Sequence, residues 1–107
     1  MSKYPSYKPQ MVQAWNTAKN LFGLNTARDL FRISYSESGW NPTIVNPSQY
    51  PAAGLFQVVP GSRVEWGFDG RNDNPINHTP EDQVIRVGRA MMKKMKEKGR
   101  DPVYKYM

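Results

Sequence analysis

Apolar and polar positions divide the chain into three stretches of helical spacing, with one long irregular segment before the last. Met11, Ala14, Trp15, Ala18, Leu21 and Phe22 recur three and four residues apart, which places their side chains along one face of an α-helix. Pro9 suits the first turn of that helix, where its missing N–H costs nothing, and Gly23 suits its end. Thr26, with Asp29 three residues later, resembles the reciprocal capping arrangement that opens a helix, although Glu or Gln usually stands in the second place. The helix it opens is expected to run to about Ser38, with Ala27, Leu30, Phe31 and Ser34 turned inward. Glu37 lies four residues beyond Ile33 and seven beyond Leu30, so its carboxylate leaves this helix at the edge of an apolar stripe.

From Gly39 to Asn77 prolines and glycines interrupt any sustained period, which predicts loops, short helical turns and a small hairpin. A long irregular segment in a small domain is where functional groups concentrate. Thr79, Pro80 and Asp82 then supply an N-cap, a first-turn proline and an acidic third position for a last long helix. Its apolar stripe is Val84, Val87, Met91 and Met95, joined by Ile85 and Met92, and Gly99 ends it. Gly88 in mid-helix costs about 1 kcal/mol relative to Ala, so a close contact with another helix is expected there. The fold class is therefore mainly α, a compact domain with a loop or small hairpin region between helices.

A length of 107 residues fits one domain, expected over 9–107, with residues 1–8 as an extended arm rich in Tyr, Lys and Pro. The 38% hydrophobic content, with 3 Trp, 6 Tyr and 4 Phe, suffices for one core. There is no cysteine and one histidine, His78. Thiolate nucleophiles, disulfides and Cys-based metal sites are thereby excluded, a His-based metal site is not expected, and no cofactor is called for. His78, just before a helix N-cap, reads as structural. The formal charge of +6 favours anionic partners: nucleic acid, acidic lipid headgroups, or the teichoic acids and peptide carboxylates of a cell wall. No helix-turn-helix or RNA-binding signature accompanies the charge, so no nucleic acid is expected. The run Lys93, Lys94, Lys96, Lys98 and Arg100 suits the negative end of its own helix. Residues 1–10 lack the apolar core of a secretory signal peptide, and no stretch is long enough for a membrane span.

Two segments carry the chemistry: Glu37-Ser38-Gly39-Trp40-Asn41-Pro42, and Ser48-Gln49-Tyr50-Pro51-Ala52-Ala53-Gly54-Leu55-Phe56-Gln57-Val58-Val59-Pro60. Together they resemble the soluble lytic transglycosylase (SLT) domain of the lysozyme-like superfamily. In that family a helix ends in Glu-Ser before an aromatic residue and Asn-Pro, and a second motif reads Ser-x-x-Gly-Ala-x-Gly-Leu-Met-Gln. The resemblance implies a lysozyme-like fold that cleaves the β-1,4 bond between N-acetylmuramic acid and N-acetylglucosamine in peptidoglycan glycan strands, with Glu37 as catalytic acid and base.

Breaking a glycosidic bond requires a proton for the leaving oxygen. A carboxyl at the edge of an apolar stripe is expected to have its charged form disfavoured by desolvation. The reaction the resemblance implies needs only one carboxylate, because the substrate's acetamido group stabilises the forming cation and its C6 hydroxyl then closes a 1,6-anhydro ring. Asp69, Asp73 and Glu65 are candidates for a second carboxylate, but each stands in a polar loop context that suits a solvated charge. A transglycosylase is accordingly preferred to a hydrolytic lysozyme.

Gly54 fits a backbone that approaches substrate or takes positive φ, and Gln57 can offer a sugar amide both donor and acceptor. Ser48 is expected to hold Glu37 or contact substrate, with a loop-capping role as the alternative. Trp40, Tyr50, Phe56 and Trp66 are candidates to line the glycan groove, where aromatic faces suit the apolar faces of sugars, and about half of them are expected to do so.

The pattern departs from the family in places. Pro51 replaces the first glycine of the second motif, and Val84 and Met91 stand where the family often has Asn and Tyr. The later Ala-Tyr-Asn-x-Gly motif has no counterpart before Met107, with Tyr104 or Tyr106 as substitutes. A noncatalytic wall-binding or particle-assembly protein is therefore the rival from another class. Action in the periplasm or cell wall is expected from a monomer without a signal peptide. Small size and basic charge suggest a bacteriophage or mobile-element enzyme, associated with the virion or released through a holin.

Overall fold

A computed structural model describes residues 8–98. Three α-helices, α1 (Lys8–Phe22), α2 (Leu24–Ser38) and α3 (Pro80–Lys98), carry the fold, and short 3₁₀ turns at Pro60–Ser62 and Pro75–Asn77 punctuate the segment before α3. The fold is mainly α, as the periodicity predicts. Among the described residues no strand forms; isolated antiparallel bridges pair Ala53 with Val45 and with Val58. The proposed arm 1–8 lies outside the described residues except for Lys8, already in α1, and Gly99, Arg100, Tyr104 and Tyr106 lie outside them too.

α1 packs against both other helices. Its inward positions Met11, Ala14 and Ala18 are buried, and the two alanines let the neighbouring helices come close. Leu21, expected in the same stripe, is half exposed. Phe22, one position on, packs over α3 instead, and a Cβ at Gly88 would stand 2.3 Å from its ring. The close contact expected at Gly88 is thus made by an aromatic ring from α1.

The start of α2 departs from the capping pattern. Thr26 lies within the first turn, and its hydroxyl is directed to the Met92 sulfur at 3.9 Å. The helix instead begins at Leu24 behind a one-residue link, Gly23, with φ 88° and ψ 164°. That conformation is open essentially to glycine alone. The Gly23 N–H closes α1 on the Lys19 carbonyl, while its own carbonyl accepts from the Ala27 N–H. One glycine thus both ends α1 and opens α2, without a side-chain cap. The inward face of α2 is Ala27, Leu30, Phe31 and Ser34, as its spacing predicts.

α3 opens as read from the sequence, with the Thr79 hydroxyl accepting from the Asp82 N–H at 3.1 Å. Val84, Val87 and Met91 are buried, and Ile85, Met92 and Met95 are half-buried beside them. Leu55, Val58 and Phe68 from the irregular segment complete a single core with the three helices.

Candidate active site

Glu37 is placed by the way α2 ends. Ser38 donates to the Ser34 carbonyl at 3.0 Å and accepts from the Asn41 N–H at 3.2 Å, so one hydroxyl ties the last helical turn to the chain leaving it. Gly39 and Trp40 are both left-handed, each with φ 63°, which reverses the backbone within two residues. The reversal carries the Trp40 ring back along α2, where its indole N–H donates to the Phe31 carbonyl at 3.0 Å. Glu37, three and four residues past Ser34 and Ile33, stays on another side of the helix.

The loop facing Glu37 is built on Ala53 and Val58, whose backbones exchange two hydrogen bonds around the turn 54–57. Gly54 opens the turn at φ 80° and Gln57 closes it at φ 51°. Within the turn the side chains diverge: Leu55 is fully buried in the core, whereas Phe56 is half-buried and reaches a cleft. Gln57 Nε2 donates to the carbonyls of Gly54 at 2.9 Å and Ile44 at 3.2 Å, so its amide braces the turn it belongs to.

That cleft, of about 290 Å³, lies between α2, the turn 54–57, the 3₁₀ turn at Pro60–Ser62 and α3. Ile33, Val58, Val87 and Met91 give it apolar walls, Phe56 and Trp66 add aromatic ones, and Ser36, Ser62, Gln57 and Glu37 supply the polar groups. Glu37 is exposed, and among the described residues its carboxylate has no hydrogen bond or ion pair. The structure therefore leaves the group open to solvent instead of desolvating it as expected.

Four of the sequence candidates, Glu37, Phe56, Gln57 and Trp66, share this cleft. Gly54 stands behind it, buried, where a Cβ would come within 2.4 Å of Gln83 Oε1 and 2.9 Å of Pro75 Cβ. Both the positive φ and the lack of space require glycine, so packing explains this position. Ser48 is exposed and accepts from the Tyr50 N–H at 3.2 Å, a loop-capping bond. Tyr50 is 62% exposed. Neither of these two lines the cleft, and Trp40 borders a separate depression beyond α2.

The other candidate acids are engaged elsewhere. Glu65 meets Lys94 Nζ at 2.7 Å, and that ammonium also sits 4.9 Å from the Trp66 ring centre, bracing a wall of the cleft. Asp73 and Asp82 hold His78 between them, each 2.6 Å from one ring nitrogen. Arg86 joins Asp82 at 2.8 Å and Asp69 at 3.6 Å. Burial works to raise the Asp73 carboxyl, but the Asp69 N–H and His78 outweigh it and hold the group below its ordinary range. For Asp82 burial again opposes, and the Arg86 and His78 contacts prevail, with the same net direction. This clasp pins the segment before α3 to its first turns, which confirms the structural reading of His78.

A residue absent from the sequence reading proves central. Gln83 is buried to 1% exposure. Its Oε1 accepts from the Leu55 N–H at 2.8 Å, and its Nε2 donates to the carbonyls of Pro42 and His78, both at 3.0 Å. One side chain on α3 thereby fixes both motif segments against each other. Its signal was available in the spacing, since 83, 87 and 91 are successive positions of the buried stripe.

The two motif segments thus meet at one cleft, with the Glu-Ser end of α2 on one side and the Gly-Leu-Phe-Gln turn on the other. Compared with known families, the transglycosylase SLT domain matches residues 13–107. The chain belongs to this family. No curated protein and no solved structure matches it. Membership of the SLT domain family points to a peptidoglycan-degrading glycosidase, with peptidoglycan as the implied substrate and action outside the cytoplasm. Among the described residues no helix of this SLT domain is long and apolar enough to cross a membrane, and no group of three or more His, Asp or Glu side chains is placed to hold a metal ion.

Proposed function

We propose that this SLT domain cleaves the β-1,4 bond between N-acetylmuramic acid and N-acetylglucosamine and leaves a 1,6-anhydro end, with Glu37 as the only acid and base. The observation that carries the reading is the composition of the cleft: Glu37 is the one carboxylate among the described residues that line it. A hydrolase working with two carboxylates needs the second within about 5–10 Å across the scissile bond. Asp69, Asp73 and Glu65, the candidates for that place, are paired with cations or His78 outside the cleft.

With one carboxylate the proton balance closes if the substrate supplies the nucleophiles. Glu37 gives its proton to the glycosidic oxygen as the C1–O bond breaks, and the neighbouring acetamido oxygen bonds to C1. The Glu37 carboxylate then takes the proton of the C6 hydroxyl while O6 attacks C1 and displaces the acetamido oxygen. Glu37 ends protonated, as it began, and no water is consumed. Phe56 and Trp66 offer flat faces to sugar rings, Gln57 retains its amide oxygen as an acceptor, and the apolar floor keeps water from the C1 cation.

Mass spectrometry of the soluble fragments from digested peptidoglycan tests the proposal. Anhydro-ended fragments, each one water lighter than the hydrolysed equivalent, are expected from the wild type and not from Glu37→Gln. Reducing-end fragments would make the domain a hydrolase, and no fragments at all would leave a wall-binding role.

A further inference from the structure

The side of α2 that faces away from Ile33, Ser36 and Glu37 carries a second concave surface. It is an open depression of about 460 Å³ bordered by Trp15, Arg28, Phe31, Arg32, Tyr35 and Trp40. Four of these six are aromatic, arranged edge to face: Trp15 on Phe31 with centres 5.2 Å apart, Phe31 with Trp40 at 6.1 Å, and Tyr35 with Trp40 at 5.2 Å. The Trp40 ring is oriented by the bond its indole N–H donates to the Phe31 carbonyl.

The charge at the rim has one dominant sign. Arg28 and Arg32, one helical turn apart, are both exposed, and Lys19 Nζ lies 5.7 Å from the centre of the Trp15 ring. Among the described residues one acid, Asp29, stands near these three cations, at 3.9 Å from Arg32. Flat aromatic faces suit the apolar faces of sugar rings, and guanidinium forks suit carboxylates or phosphates. A flat ligand of neutral sugars would leave the cations unused, and a simple polyanion would leave the aromatics unused.

We propose that this depression is a second glycan-binding site, which takes a sugar segment bearing carboxylates, as muropeptide does, and holds the domain on the wall while the Glu37 cleft works on another segment. The inference rests on the proposed function for its target. It concerns a surface on the opposite side of α2 from the cleft and needs none of the cleft residues. The carboxylates would come from the stem peptides, and the phosphodiesters of wall polymers carry the same kind of charge.

The test uses the full chain carrying Glu37→Gln, which removes turnover, in co-sedimentation with insoluble sacculi either intact or stripped of phosphodiester polymers. Adding Arg28→Gln and Arg32→Gln should weaken binding to stripped sacculi by about fivefold or more. With Glu37 restored, the same two changes should leave cleavage of a short soluble glycan within about twofold of wild type. Both arginines are exposed, and an unchanged melting temperature separates lost binding from lost fold. Unchanged binding to stripped sacculi overturns the proposal, as does a loss seen only with phosphodiester-bearing walls, which would assign the arginines to another polymer. If the wild type releases no anhydro-ended product while sedimentation still depends on Arg28 and Arg32, the catalytic reading fails and the binding site stands.

Discussion

The cleft in front of the turn 54–57 and the buttress behind it are built from the same motif on opposite principles. In front, Glu37 is exposed and unpaired among the described residues, and Phe56 and Trp66 are only half covered. Behind, Gln83 is buried with three hydrogen bonds to backbone, and Gly54 is packed to the limit of the space. Under the proposed function, unspent bonding capacity marks the side that would meet a substrate, and exhausted capacity marks the side that holds the turn in shape. A motif residue can serve either side, so membership of the motif alone does not assign it to substrate.

The largest expected effect separates the two sides most sharply. Glu37→Gln should lower turnover by about 10²–10⁴-fold, the usual worth of a positioned acid or base, while stability changes by less than about 0.5 kcal/mol, as for other exposed sites. Release of soluble glycan and thermal melting measure the two quantities. A variant that loses turnover and stability together would show that Glu37 belongs to the buttress as well.

Gln83→Leu should act in the reverse order. It strands the Leu55 N–H and two carbonyls, and an unsatisfied buried group costs about 1–3 kcal/mol, so a loss of about 3 kcal/mol is expected in denaturant unfolding. Turnover should fall only as far as the turn 54–57 loosens. If stability were unchanged, Gln83 would not be the link between the two motif segments.

A smaller effect depends on pH. The carboxyls of Asp73 and Asp82 sit below their ordinary value of 3.8 in the folded protein, so their contribution is present above that value and is lost as pH falls through the folded values. Thermal stability should therefore drop below about pH 4, and Asp73→Asn should flatten that dependence. An unaltered acid limb in the variant would remove the clasp around His78 from the account.

Smallest of all is Ser48→Ala. The hydroxyl caps an exposed loop away from the cleft, so both turnover and stability should stay close to wild type, within about 0.5 kcal/mol. A large loss of turnover would mean that the loop reaches substrate after all.

What the sequence showed follows the range of the interactions involved. The Thr79 cap, the inward face of α2 and the apolar stripe of α3 are set by neighbours within one helical turn, and spacing reveals them. α2 starts two residues before Thr26 because Gly23 joins two helices through a conformation that needs no capping side chain, so spacing around Thr26 does not mark it. Gln83 escaped notice because a polar residue near a helix start reads as surface, and its partners lie 28 and 41 positions away. Ser48, Tyr50 and Trp40 belong to the motif by order along the chain, but the left-handed pair Gly39-Trp40 and the outward loop at 48–50 carry them away from Glu37. The cleft itself was legible only in part, because its floor comes from Val87 and Met91 on a helix far along the chain.

The central claim is that one carboxylate suffices because the substrate, and not water, attacks the sugar. Digestion of peptidoglycan in water enriched with oxygen-18 tests this directly. The account predicts anhydro-muramyl ends that carry no label, produced by the wild type and absent with Glu37→Gln. Incorporation of one labelled oxygen at the new sugar end during cleavage would contradict it, and would show that a water molecule, activated by some second group, is the nucleophile.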